Sequence, residues 1–167
     1  MHSVGKYTPA TVSEARELYE TLGPTAQSVV REVAKAMSFD RGEYRERVTS
    51  GVVMTARDAL FASLLEVTVG TREEFDEWCA ETNHADSEIE LTGSENVENV
   101  VWHPIPFVDT NGTVVAATFH EEETAAVETL RRQAFGRHYQ GLLEETTNTE
   151  TETKTETETK TTTSTDE

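Results

Sequence analysis

"NVVWHPIPFVDTNGTVVAATFH", residues 99–120, decides the fold class. Two β-rich runs, "NVVWHPIPFVD" and "TVVAATFH", flank "TNG", which is the composition of a hairpin. Two registers compete. A two-residue Asn111-Gly112 loop pairs Thr110 with Thr113 and sets His103 directly opposite His120. Cross-strand Cβ atoms lie about 5 Å apart, close enough to share a metal ion. That register also puts Pro106 at a hydrogen-bonded position opposite Ala117, where the missing N–H breaks the ladder. A three-residue loop, Thr110-Asn111-Gly112, removes the conflict. Asp109 then starts a type I turn and Gly112 takes the left-handed position. Turn chemistry prefers this second register. His103 then faces Phe119, on one face with Val101, Ile105, Phe107, Val115 and Ala117, while His120 moves to the other face, opposite Trp102. The expectation is therefore no metal site and no cofactor. His103 reads as a satisfied histidine at the rim of the core, with a general base as the alternative. Pro104 and Pro106 mark an edge strand, and Trp102 on that edge becomes a candidate interaction residue.

Outward from the hairpin, the chain before it is helical. Thr11 with Glu14 starts a helix carrying Ala15, Leu18, Tyr19 and Leu22. Gly23 stops it and Pro24 suits the first turn of the next, whose stripe is Ala26, Val29, Val30, Val33 and Met37. Asp40 with Glu43 starts a short third helix. A fourth runs from about Ser50 with Val52, Val53, Ala56, Leu60 and Leu64 turned inward. "LLEVTVG" and "SEIELTG" alternate as strands around a helix opened by Thr71 and Glu74. Cys79, on one face with Phe75 and Trp78, reads as a core residue and not a nucleophile. After the hairpin, "EEETAAVETLRRQAFGRHYQGLL" is a long closing helix with acids in its first turn. The expected class is α+β: N-terminal helices, a small mostly antiparallel sheet with a hairpin at 100–119, and a long C-terminal helix.

Residues 144–167, "EETTNTETETKTETETKTTTSTDE", contain no apolar residue. Such a segment cannot bury enough surface to offset its ordering entropy, so it is expected to be a disordered acidic tail. All 59 apolar residues fall in 1–143, which is expected to form a single globular domain. The net charge is −18, and Arg outnumbers Lys ten to four. Acid surface, scarce Lys and a light Ala/Val core point to a cytosol at very high salt, where screening over about 3 Å tolerates dense acid. One cysteine excludes an internal disulfide, and no run approaches the apolar length of a membrane span. A cytoplasmic protein is expected, with no membrane association. Nucleic acid is disfavoured, because there is no basic stripe interleaved with aromatics.

The charge distribution raises one further question. Between Arg72 and Arg131 there is no Lys or Arg, while residues 73–128 sum to −15. "TLRRQAFGRHYQ", residues 129–140, then gathers Arg131, Arg132, Arg137 and His138. On a helix these arginines flank the apolar stripe Val127, Leu130, Ala134, Phe135, Tyr139 and Leu142. Pairing with the preceding acids is the first reading. The second is a pocket for an anionic ligand formed by Arg131, Arg132, Arg137 and His103.

Four blocks together carry a resemblance. They are "LGPTAQSVVREVAKAM", "YRERVTSGVVMTARDALFASLLEVTVGTREEFDEW", "SENVENVVWHPIPF" and "VVAATFHEEETAAVETLRRQAFGRHY". Over about residues 7–143 the chain resembles an uncharacterised family of small haloarchaeal proteins with a domain of unknown function. The resemblance implies the halophilic setting and brings no reaction, ligand or catalytic residue. With no nucleotide loop, metal spacing or paired-carboxylate motif, no catalytic residue is assigned. The chain reads as a non-catalytic protein-interaction or regulatory module that binds a protein partner or itself. A small enzyme or sensor for an anionic metabolite is the alternative.

Overall fold

The computed structural model describes residues 1–145. Residues 146–167, most of the segment expected to be disordered, lie outside the described residues. The helices are α1 (Val12–Thr21), α2 (Gly23–Ala36), α3 (Arg41–Arg47), α4 (Ser50–Leu64), α5 (Arg72–Glu81) and α6 (Glu123–Ala134). The strands are β1 (His2–Val4), β2 (Val67–Thr71), β3 (Ile89–Thr92), β4 (Asn99–Ile105) and β5 (Thr113–Phe119). Local signals set most of these boundaries. Asp40 and Glu43, and Thr71 and Glu74, form reciprocal capping boxes that start α3 and α5. The Thr11 and Thr49 hydroxyls accept from Glu14 N and Val52 N at the starts of α1 and α4. α6 continues through a π-helical turn at Phe135–Tyr139 before resuming as α-helix to residue 145. The fold is α+β.

The strands form one mixed sheet in the order β1-β2-β4-β5-β3, antiparallel except for the parallel pair β5 and β3. Two expectations are corrected here. β4 is the central strand and not an edge, with Trp102 paired to Thr68 on one side and Ala116 on the other. The prolines are compatible with this, because Pro104 lies two residues past Trp102, the last residue paired with β2. The hairpin register also differs. Ile105 pairs with Thr113, so the connection is the seven-residue stretch 106–112. Phe107 and Val108 leave the ladder and pack, partly buried, on the main core. Gly112 does take positive φ, +84°, and a Cβ there would press on Pro106. Compared with the expected register the partner slips by four residues. An even slip preserves alternation, so His103 keeps its face with Val101, Ile105, Val115 and Ala117 but opposes Val115. His120 falls beyond the end of β5, and its carbonyl accepts from Asn99 Nδ2 at 2.8 Å.

Each face of the sheet has its own core. On one face Val67, Val69, Val101, Ile105 and Val115 meet α1, α4 and α6 through Tyr19, Phe61, Leu130 and Tyr139. On the other, Val100, Trp102, Val114 and Ala116 meet Phe75 and Cys79 of α5. α2 joins neither core. Its buried residues Ala26, Val30 and Ala34 pack mainly on α4, one layer further from the sheet.

Candidate docking groove

Arg131 is 7 % exposed and held on three sides. Its Nε donates to Leu65 O at 2.9 Å, one terminal nitrogen donates to Val4 O at 3.1 Å, and the other pairs with Glu128 at 3.0 Å. Leu65 is the C-cap of α4, where free carbonyls and the helix dipole favour a cation. Lys6 and Tyr7 amides donate to Leu64 O, and His103 Nδ1 lies 2.6 Å from Glu66 O. Three successive carbonyls at the α4–β2 joint thus receive donors from distant parts of the chain. Arg131 and His103, the most site-like residues of the sequence, hold two of them.

His103 is 1 % exposed. A carbonyl only accepts, so Nδ1 carries the proton and Nε2 accepts from the Tyr139 hydroxyl at 2.8 Å. Burial pushes the imidazole down to about 4, and the Arg131 charge adds to this. Burial also raises the Tyr139 hydroxyl. This pair is a neutral, internally satisfied link between β4 and the π turn.

The remaining candidates lie apart. Arg137 pairs with Glu90 at 3.2 Å across an exposed surface. His138 Nε2 comes within 3.0 Å of the same carboxylate, off the hydrogen-bonding direction. Arg132 is exposed and reaches Thr129 Oγ1 at 3.4 Å. Trp102 is fully buried against Phe75 and Trp78, and its Nε1 has no partner among the described residues. Burial, with Asp76 and Asp86, pushes the Cys79 thiol up to about 11, away from nucleophilic character.

The surface that stands out is one the sequence assigns to the core. α2 carries two adjacent apolar stripes at four-residue spacing. Ala26, Val30 and Ala34 bury against α4, while Val29, Val33 and Met37, rotated by about 100°, do not. They are 40, 52 and 58 % exposed. Across from them α4 presents Gly51, Thr55, Ala56 and Ala59, together with Val52 at 42 % exposure. These side chains are too small to fill the space, leaving a groove of about 790 Å³. Phe39 and Arg47 also line it, with the guanidinium 5.2 Å from the ring centre. Val52, expected inward, therefore lines an open wall. None of Arg131, Arg132, Arg137, His103 or Trp102 lines the groove.

A family model described as a family of unknown function (DUF5809) matches residues 6–140. The chain belongs to this family. No curated protein and no solved structure matches. The DUF5809 match includes the groove helices and the α4–β2 joint with its Arg131 and His103 donors. It carries a family boundary and no reaction. No helix of the described residues is long and apolar enough to cross a membrane.

Proposed function

We propose that this chain is a non-catalytic protein-interaction module that docks through the α2–α4 groove. One observation carries the reading. Of the seven large apolar side chains exposed among the described residues, four, Val29, Val33, Met37 and Val52, line this one groove. Isolated exposed apolar residues are ordinary, whereas a contiguous set around a concave surface marks an interaction site. A photo-crosslinking residue in place of Val33, activated in cells, is expected to give one discrete protein adduct that Val52→Asp abolishes. The same residue in place of Arg132 is the control. No adduct at Val33, or equal adducts at both positions, removes support for the reading.

We further place the module in a cytosol at high salt, as in a halophilic archaeon. The net charge of −18 and the excess of Arg over Lys support this. Raising KCl from about 0.1 M to about 3 M is expected to raise the melting temperature by about 5 °C or more, because screening relieves the acid clusters. A melting temperature that stays level or falls with salt argues against that setting.

A further inference from the structure

We propose that the occupant of the groove is the same groove of a second copy, giving a two-fold dimer in which each α2 lies against the α4 wall of the other. The inference rests on the docking reading above and names its partner.

Shape is the first argument. A two-fold contact is self-complementary: if one residue meets a second, the second meets the first. A single surface must then hold both projections and the recess that receives them. This surface does. Val33 projects from α2 and Met37 from its C-cap, while Gly51, Thr55 and Ala59 form a stripe of small residues along α4 at four-residue spacing. The walls are helices of 14 and 15 residues, each about 21–23 Å long at 1.5 Å per residue. Two such pairs are long enough to pack as a four-helix layer.

Charge is the second argument. The groove lining includes Arg47 and no acidic residue. Residues 23–64 hold six Lys or Arg against five Asp or Glu, net +1, in a chain of net −18. Two copies that meet here bring near-neutral surfaces together. Two copies that meet through residues 73–128, at −15, have to strip water from dense acid with no basic partner, a cost that salt does not screen. The chain's own acidic segment is a poor occupant, because residues 144–167 contain no apolar side chain to fill an apolar recess.

The test is the mass of the full-length chain in solution, by light scattering and sedimentation over a concentration series at high KCl. A species of twice 18.6 kDa is expected, dissociating on dilution. Val33→Glu and Val52→Glu each weaken the dimer by about tenfold or more. Their far-ultraviolet dichroism and melting serve as the check on folding, since both side chains are already half exposed in the monomer. A chain that is monomeric throughout the series overturns the proposal, as does a dimer indifferent to both variants. The cellular crosslink separates the two claims. A monomer whose Val33 crosslinks to a different protein ends the dimer and leaves the docking reading standing. A monomer with no adduct ends both.

Discussion

The arginine-bearing end of α6 and the helical pair α2–α4 reverse the roles their sequences suggest. Residues 129–140 look like a binding motif: three arginines and a histidine after a long run without Lys or Arg. In the fold, Arg131 is buried against Leu65 O and Val4 O, and Arg137 turns to Glu90. The segment 23–64 looks like ordinary amphipathic helix, and its apolar stripe reads as core. In the fold, four of its residues, Val29, Val33, Met37 and Val52, face outward around a groove. Charge in a sequence marks a need for a partner without saying whether the partner is internal. Apolar periodicity marks a face that wants cover, without saying whether the same chain provides it.

The largest effect separating the two regions belongs to Arg131. Arg131→Ala removes the donors to two carbonyls and is expected to cost about 3–4 kcal/mol of stability, read by urea denaturation. Arg131→Lys recovers only part, because a single ammonium does not reproduce the planar fork that reaches three acceptors. A loss below about 0.5 kcal/mol for the alanine variant would return Arg131 to the list of ligand-binding candidates.

Next in size is a pH effect. The folded His103 sits near 4 against 6.5 for a free imidazole. The unfolded chain therefore takes up a proton first, and its contribution to stability is full above about 6.5 and fades as the pH falls towards 4. The loss is up to about 3 kcal/mol across that window. His103→Gln is expected to be less stable at neutral pH but shallower in its dependence between those limits. Parallel curves for the two proteins would show that His103 is not the group responsible.

The smallest expected effects sharpen the contrast from the other side. Arg132→Ala and Val33→Ser both alter exposed side chains, and each is expected to shift monomer stability by less than about 0.5 kcal/mol. Val33→Ser should still lower self-association, while Arg132→Ala should not. Chemical denaturation and light scattering on the same samples check both halves.

How much was legible varied with the range of the forces involved. The capping boxes at Asp40/Glu43 and Thr71/Glu74 appear where the sequence puts them, because a cap is satisfied within four residues. The placement of the Arg137 pair was half visible, since Glu90 belongs to the acidic stretch that calls for a basic partner. The register of β4 and β5 was not legible. Turn preference favours a short loop around Asn111-Gly112, but the ladder ends at Ile105 and Thr113, and Phe107 and Val108 pack on the main core, a tertiary contact that turn chemistry does not encode. The groove was not legible either, although one signal was present. The apolar arc of α2 is wider than the small-residue face of α4, Gly51, Thr55 and Ala59, can cover.

By itself the sequence determined an α+β chain, its helix starts, its strand alternation and its charge division, all properties of neighbouring residues and of period. The tertiary structure alone decided that β4 is central, that Trp102 is buried, that Arg131 and His103 serve the α4–β2 joint, and that Val33 and Met37 remain uncovered. The reason is physical. Burial is a relation between two surfaces, and a sequence pattern describes only one of them.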